Sequence, residues 1–412
     1  MAEPLRANRD FTVFWIGQTL SELGNAFALV ALPLLVLQQT GSVAQMGLLT
    51  GVAGVASIVT GVFAGLLVDR LDRRRLMILC DVARSVLHAS VPLCWLIGPQ
   101  VWLLYLVMAA TSVFGMTFSV GYVTAVPSLV GSDRIVEANG RLETTTAIAY
   151  IVGPVAAGAL SGLLGPTAAI AVNAASFSVS AVALALIRFH GPARVAAGGS
   201  FAAVKDGFLA GFTFLWRTPV LRWLAVLLTV VSFLTLGMMD VIIYQVRTGF
   251  GRGDDMVGVV VGIAGVGTVL AAVLTPVLRR RLGFGPCWLG SYVLCGEAAI
   301  VVGLTSAVPT LSGAVLCYTF GLGLAGISSM SLRQVVTPDH LLGRVTSAFW
   351  TAHTALAPLG AALITALVEV YGVRGPLIGV GVVFFLVVLV GLFTPVRQRH
   401  PELTVPSTGV RV

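Results

Sequence analysis

The sequence predicts an all-α polytopic membrane protein, with twelve transmembrane helices in two pseudo-symmetric six-helix halves. Three observations carry that expectation. Apolar residues make up 57% of the 412 and charged residues only 10%, at a mean hydropathy of +0.97, where a soluble domain carries about 25% charged residues. The apolar residues gather into runs of the length a bilayer requires, about 20 residues each. One long break, 189–219, divides those runs evenly.

In chain order the runs fall at 12–37, 45–68, 76–97, 101–126, 140–163 and 167–188, then at 220–245, 255–278, 285–306, 309–332, 344–369 and 375–395. Short polar or Gly/Pro segments separate them. The opening stretch "MAEPLRANRDF" lacks the short apolar core and cleavage signal of a secretory leader, so the first run is expected to stay as a span. The organisation expected is a six-helix half over 1–188, a linker over 189–219, a second half over 220–395 and a tail over 396–412. Within the linker, "GPARVAAGGS" reads as flexible. Phe201, Val204, Phe208, Phe212, Leu215 and Trp216 then recur near helical spacing among Lys205, Asp206 and Arg217, the pattern of an amphipathic helix at a membrane surface.

The basic residues set the orientation. With a cytoplasmic N-terminus, all of the 25 Lys and Arg except Arg247, Arg252 and Arg374 fall in cytoplasmic segments or at their edges, so both termini are expected inside a bacterial plasma membrane. The same bias accounts for the net charge of +8 without nucleic acid as a partner. The five cysteines (Cys80, Cys94, Cys287, Cys295, Cys317) lie in apolar runs with neither a CxxC pair nor histidines at ligand spacing, so no metal site is expected. No cofactor is expected either. An ATP-driven pump needs a GxxxxGK loop, and the sole lysine sits in "SFAAVKD". "GLGLAG" (Gly321–Gly326) fits GxGxxG only formally, inside an apolar span with no strand before it. No convergent nucleophile, base and metal set suggests an enzyme, and a channel explains the two halves poorly.

The halves echo one another. "DRLDRRR" separates spans 2 and 3, and "RRRLGFG" (Arg279–Gly285) separates spans 8 and 9. "IVGPVAAGAL" (Ile151–Leu160) in span 5 parallels "LAPLGAALI" (Leu356–Ile364) in span 11. Weak internal repeats of this kind mark secondary transporters, which hold substrate between the repeats.

Ionisable residues at membrane depth are costly, and each is a functional candidate by default. Glu22 sits mid-span with Gln18 and Asn25 at i−4 and i+3, a polar stripe suited to titrating a proton or recognising a cation; a permanently neutral, hydrogen-bonded glutamate is the structural alternative. Asp240 shares a stripe with Thr229, Ser232 and Tyr244, and competes with a role at the helix end or an external gate. Asp81, Arg84 and His88 line one face of span 3. There an ion pair supporting the preceding loop is the expectation, with a relay through His88 as the alternative. Glu297 has no obvious role. His353 could titrate near neutral pH, but a lone histidine is more often a satisfied core residue.

The segment "GLLVDRLDRRR" carries a family resemblance. Gly65, Asp69, Arg70, Arg73 and Arg74 resemble the GxxxDRxGRR loop between spans 2 and 3 of the major facilitator superfamily, with Asp72 in place of the second glycine. "FTVFWIGQTLSELGNAFALVALPLLVLQQTGS" (Phe11–Ser42), "RIVEANGRLETTTAIAYIVGP" (Arg134–Pro154) and "LLGRVTSAFWTAHTALAPLGA" (Leu341–Ala361) resemble the drug-exporter branch that holds macrolide-efflux and enterobactin-exporter proteins. The resemblance implies an alternating-access exporter of small organic molecules, commonly driven by proton exchange, working as a monomer. It places spans 1, 4, 7 and 10 around the cavity. Gly153, Pro154 and Gly158 match an antiporter motif built on GPxxGG, with Ala157 replacing a glycine; ordinary helix packing accounts for the same residues. The arginine linked to proton coupling in span 4 of the family has no counterpart here. A siderophore exporter, or an importer or lipid transporter on the same fold, remains an alternative.

On physical grounds, Gly65 allows close backbone approach. Asp69 suits the helix-terminal N–H groups near Leu342–Arg344, and Arg70 and Arg73 suit Asp133 or Glu137. Together these contacts would latch the cytoplasmic side. The alternative is a solvated, orientation-setting loop. For the cavity wall, Thr111, Ser112, Phe114, Phe118 and Tyr122 of span 4 and Tyr318, Ser328 and Ser329 of span 10 suit an amphiphile better than a sugar.

Overall fold

In the computed structural model, residues 8–70, 72–130, 134–187, 201–338 and 341–404 are described; for 62–70, 123–124, 127, 136, 201–206 and 404 the description stops at the backbone. Among the described residues, 12 helices are long and apolar enough to cross a membrane, and none of those residues is in a strand. Helices satisfy every backbone polar group within one segment, which is what a water-free hydrocarbon layer demands.

The first six spans are α1 (Arg9–Thr40), α2 (Val43–Arg70), α3 (Arg73–Trp95), α4 (Val101–Val130), α5 (Ile135–Leu164) and α6 (Pro166–Leu186). Helix α7 (Phe201–Arg217) follows. The seventh span is made of α8 (Pro219–Thr235), α9 (Met238–Tyr244) and a π turn at Gln245–Gly249. Then come α10 (Asp254–Leu282), α11 (Phe284–Leu304) and α12 (Val308–Val336). The eleventh span divides into α13 (Leu342–Thr354) and α14 (Ala357–Tyr371), and α15 (Arg374–Leu392) is the last. Terminal signals match the sequence. Asn8 accepts from the Phe11 N–H at 3.0 Å and caps α1. Gly41 ends it at φ 66°, a conformation that only glycine adopts freely.

The chain forms two compact units, Met1–Gly199 with Ile243–Gly262, and Ser200–Ile242 with Ile263–Val412. In the first, α1 packs on α6 through small residues. A Cβ on Gly17 would lie 2.7 Å from Ala183 Cβ, and one on Gly24 would collide with Ser176 and Asn173. Around this seam Phe11, Phe14, Leu76, Met77, Phe118, Leu142 and Leu184 form a buried core, with Tyr122 stacked between Phe14 and Phe118.

In the second unit, α11 packs on α12 and α15. Trp288, Tyr292, Tyr318 and Phe384 form a linked aromatic cluster. The spans expected as continuous at 220–245 and 344–369 are each broken. Gly237 sits at one break, where a Cβ would lie 2.8 Å from the Ala361 Cα, and Gly360 follows the other, against the Phe233 carbonyl. Two broken helices thus meet backbone to backbone, and Pro358 at the start of α14 has no N–H to leave unsatisfied.

The amphipathic helix expected after the linker is α7. It packs on the first turn of α13, where Gly211 lies against the Arg344 backbone. Leu215 is buried there, whereas Phe212 and Trp216 stack on each other at 5.7 Å and stay exposed. Gln398 and Arg399, after α15, are also anchored. The carbonyls of Arg399 and Gln398 accept from the Phe284 and Gly285 N–H groups at 2.8 and 2.9 Å, capping α11 with the chain's own tail.

Candidate functional site

The first unit holds a polar chain inside its apolar helices. It begins on α1, where Gln18 Nε2 donates to Ser180 Oγ of α6 at 3.0 Å in a buried contact. One turn on, Asn25 Nδ2 donates to Glu22 Oε2 at 3.4 Å. The other end of the Asn25 amide turns to α3: its Oδ1 accepts from Arg84 Nη2 at 2.9 Å. Arg84 Nη1 lies 3.6 Å from Asp81 Oδ1. Asp81 is 0% exposed and has Ser180 beside it, which closes the ring back onto α6.

Helical spacing explains the arrangement. Asp81 and Arg84 are three residues apart on α3, and Glu22 and Asn25 three apart on α1, so each pair projects from one face. The Arg84 guanidinium lies 3.8 Å from the centroid of Phe177 and 6.0 Å from that of Phe118, giving the cation two aromatic faces. His88 is bonded inward, with Nδ1 2.9 Å from the Arg84 carbonyl and its ring against Phe177.

The charges do not balance. Glu22 and Asp81 face one guanidinium, and Glu143 of α5 adds negative charge within range of Glu22. A fully ionised cluster therefore carries an excess carboxylate in a low-dielectric setting, where a proton or a cationic ligand is the natural neutraliser. The stripe of Gln18, Glu22 and Asn25 was legible in the sequence. Its union with Asp81 and Arg84 was not, because that pair reads as support for the adjoining loop.

The loop residues divide. Gly65, Asp69 and Arg70 lie in the last turns of α2, where only the backbone is described, and Asp133 is outside the described residues, so the expected latch falls outside them too. Arg73 opens α3. Arg74 donates through Nε to the Leu184 carbonyl at 2.9 Å and through Nη2 to the Ala185 carbonyl, closing the C-terminal end of α6. Asp72, the departure from the family pattern, is the N-cap of α3 and accepts from the Arg75 N–H at 2.8 Å. Glu137 pairs with Arg141 at 2.9 Å.

The antiporter-like residues make close backbone contacts. Gly153 faces Ala26 of α1. Gly158 faces Gly258 of α10 so closely that a Cβ on either would strike the other's backbone, and the Pro154 carbonyl also abuts Gly258. Beside them lies a cluster that the sequence reading missed. Asp254, 4% exposed, forms an ion pair with Arg247 (Oδ1 to Nε 2.9 Å) and accepts from Gln38 Nε2 at 2.9 Å. A signal existed: Arg247 was one of three basic residues out of place in the topology count. Asp240 is buried in α9 of the second unit. His353 bonds the Phe349 carbonyl at 2.7 Å, as expected of a core histidine.

Comparison with known proteins gives the setting. The model of the Major Facilitator Superfamily matches residues 14–358. The chain is 28% identical over 388 residues to the multidrug efflux pump Tap of Mycolicibacterium fortuitum, covering 92% of this chain and 94% of that protein. It is 24% identical over 400 residues to the enterobactin exporter EntS of Salmonella choleraesuis (strain SC-B67), covering 94% and 92%. Its fold matches the crystal structure of the nucleoside transporter NupG at a TM-score of 0.77 and 14% identity, over 93% of this chain and 98% of that one.

Proposed function

This chain belongs to the Major Facilitator Superfamily, and from that premise we propose that it exports an amphiphilic organic molecule by alternating access in exchange for protons. The observation that carries the proposal is the excess carboxylate of the Glu22–Asn25–Arg84–Asp81 cluster. Glu22 takes up a proton, and Asn25 relays the change in charge to Arg84 by a hydrogen bond from each end of its amide. Asp81 holds the guanidinium in place when Glu22 is neutral. This moves the coupling arginine from span 4, where the family pattern has it, to span 3.

The membrane is a bacterial plasma membrane with both termini cytoplasmic, supported by the basic-residue bias. The working unit is the single chain. Gly65, Asp69, Arg70 and Arg73 form the cytoplasmic latch, and Asp240 serves as a second polar wall group. Disrupting Asp69 shifts cysteine labelling of cytoplasmic cavity positions; unchanged labelling counts against the latch.

A growth-inhibition and efflux panel in a pump-deficient host, with and without an uncoupler, tests the main proposal. Uncoupler-sensitive efflux is expected, and Glu22→Gln abolishes it at normal expression. Full gradient-driven efflux by Glu22→Gln refutes the assignment. A siderophore exporter is the second reading, favoured by the likeness to EntS, and adding a catecholate siderophore to the panel separates the two.

A further inference from the structure

Arg333 is the other buried arginine with a story of its own. It lies in the last turn of α12, 4% exposed, in the second unit. Among the described residues it has no carboxylate partner. Its Nη2 reaches the Met330 sulfur at 3.1 Å, while Nε and Nη1 are buried without any acceptor. A thioether is a weak acceptor. The Thr337 hydroxyl, one turn along the same helix, is likewise buried and unpartnered. The guanidinium stacks 4.0 Å from the centroid of Phe349 and 5.9 Å from that of Trp350. His353 packs against both rings, at 5.0 and 4.9 Å.

Burying a cation without an anion is costly, and ring faces offset only part of that cost. A guanidinium presents planar donors matched to an oxyanion. The cage around it is apolar and aromatic, and two of its parts can yield: Trp350 is 52% exposed and Met330 38%. We infer that Arg333, with Thr337, Phe349 and Trp350, forms a binding site for a carboxylate or phosphate attached to an apolar body. The oxyanion takes the place of the Met330 sulfur and the apolar body lies along the rings. Two sources share this chemistry, a free amphiphilic anion and a phospholipid headgroup. The site lies in the second unit and the Glu22 cluster in the first, and occupancy of the Arg333 site does not depend on a proton gradient.

The test is thermal unfolding of the purified full chain. In detergent, decanoate is compared with decyltrimethylammonium, which has the same tail and the opposite charge. In nanodiscs, phosphatidylglycerol is compared with phosphatidylcholine. Each is run on the wild type, on Arg333→Met, which removes an unpaired buried charge and is expected to fold, and on Arg333→Lys, which keeps the charge without the planar fork. A midpoint raised by decanoate and not by decyltrimethylammonium, with the shift lost in Arg333→Met and reduced in Arg333→Lys, supports a free anion. A shift seen only with phosphatidylglycerol, and lost in the same variants, supports a headgroup. Equal shifts with both charges, shifts retained in the variants, or no shift in any arm overturn the site. Should Arg333→Met not accumulate, Arg333→Lys carries the comparison.

Discussion

Asn25 accepts a 2.9 Å hydrogen bond from Arg84, 59 positions away in sequence, and hands its other amide group to Glu22. A neutral side chain thereby joins a carboxylate on one helix to a cation on another. The linkage makes Arg84 responsive to the charge of Glu22 without a direct salt bridge between them.

Asn25→Leu should therefore disconnect the pair while leaving Arg84 beside Asp81. A hydrogen bond to a charged group is worth about 1.5–3 kcal/mol, so uncoupler-sensitive efflux should fall by roughly ten- to a hundredfold. The thermal midpoint should fall as well, because Arg84 and Glu22 each lose a buried partner, so efflux is compared at matched expression. Efflux at the wild-type rate in membrane vesicles would remove Asn25 from the mechanism.

Arg84→Met leaves Asp81 buried without its cation. Removing one member of a buried ion pair costs about 3–5 kcal/mol, so the thermal midpoint in detergent should drop sharply. The double variant Asp81→Asn/Arg84→Met should recover most of the loss, because the remaining amide can be satisfied without a counterion. A double variant no more stable than the single one contradicts the pairing.

Asp72 explains its own departure from the family pattern. As the N-cap of α3 it satisfies the Arg75 N–H. Asp72→Ala should cost about 1 kcal/mol, and Asp72→Gly only a few tenths. Differential unfolding of the purified variants distinguishes the two, and no loss in Asp72→Ala would mean that the cap contributes nothing.

Gly158→Val places a branched side chain where the Gly258 Cα stands. Residues 254–258 must then move away from α5, and with them Asp254 loses its register with Gln38. Transport should fall at least about tenfold, since interfaces of packed helices respond to added volume by shifting rather than compressing. Thiol labelling of a cysteine placed at Gln38 should rise. Unchanged labelling shows that the contact yields without consequence.

The tail after α15 is structural. Ending the chain at Thr394 removes the carbonyls that cap Phe284 and Gly285. Each orphaned N–H costs about 1–3 kcal/mol if it stays buried. A lower thermal midpoint is expected, with Gly285→Ala giving a smaller loss in the same direction because its Cβ meets the Arg397 carbonyl.

Hydropathy alone was enough for the twelve spans, because a bilayer imposes one length and one backbone solution on every segment that crosses it. The polar stripe of Gln18, Glu22 and Asn25 was legible for the same reason: polar residues at helical spacing in an apolar run have no other cheap placement. The Asp72 cap was also written locally, but the family pattern drew attention to the glycine it replaces. Tertiary structure alone decided what those residues meet. Asp81 and Arg84 read as loop support until α3 packs on α6 and the Arg84 side chain reaches Asn25 of α1. Arg74 reads as a topology charge until the end of α6 comes beneath it. Arg333 read as one more basic residue at a span edge, and only the packing of α13 on α12 shows it buried without an anion among the described residues. The breaks in spans 7 and 11 depend on Gly237 meeting Ala361 and Gly360 meeting Phe233. The physical reason is common to all of them. Insertion into a membrane is a property of each segment, summed over its own residues, whereas pairing of buried polar groups is a property of two segments, and one segment's sequence holds no record of the other's distance.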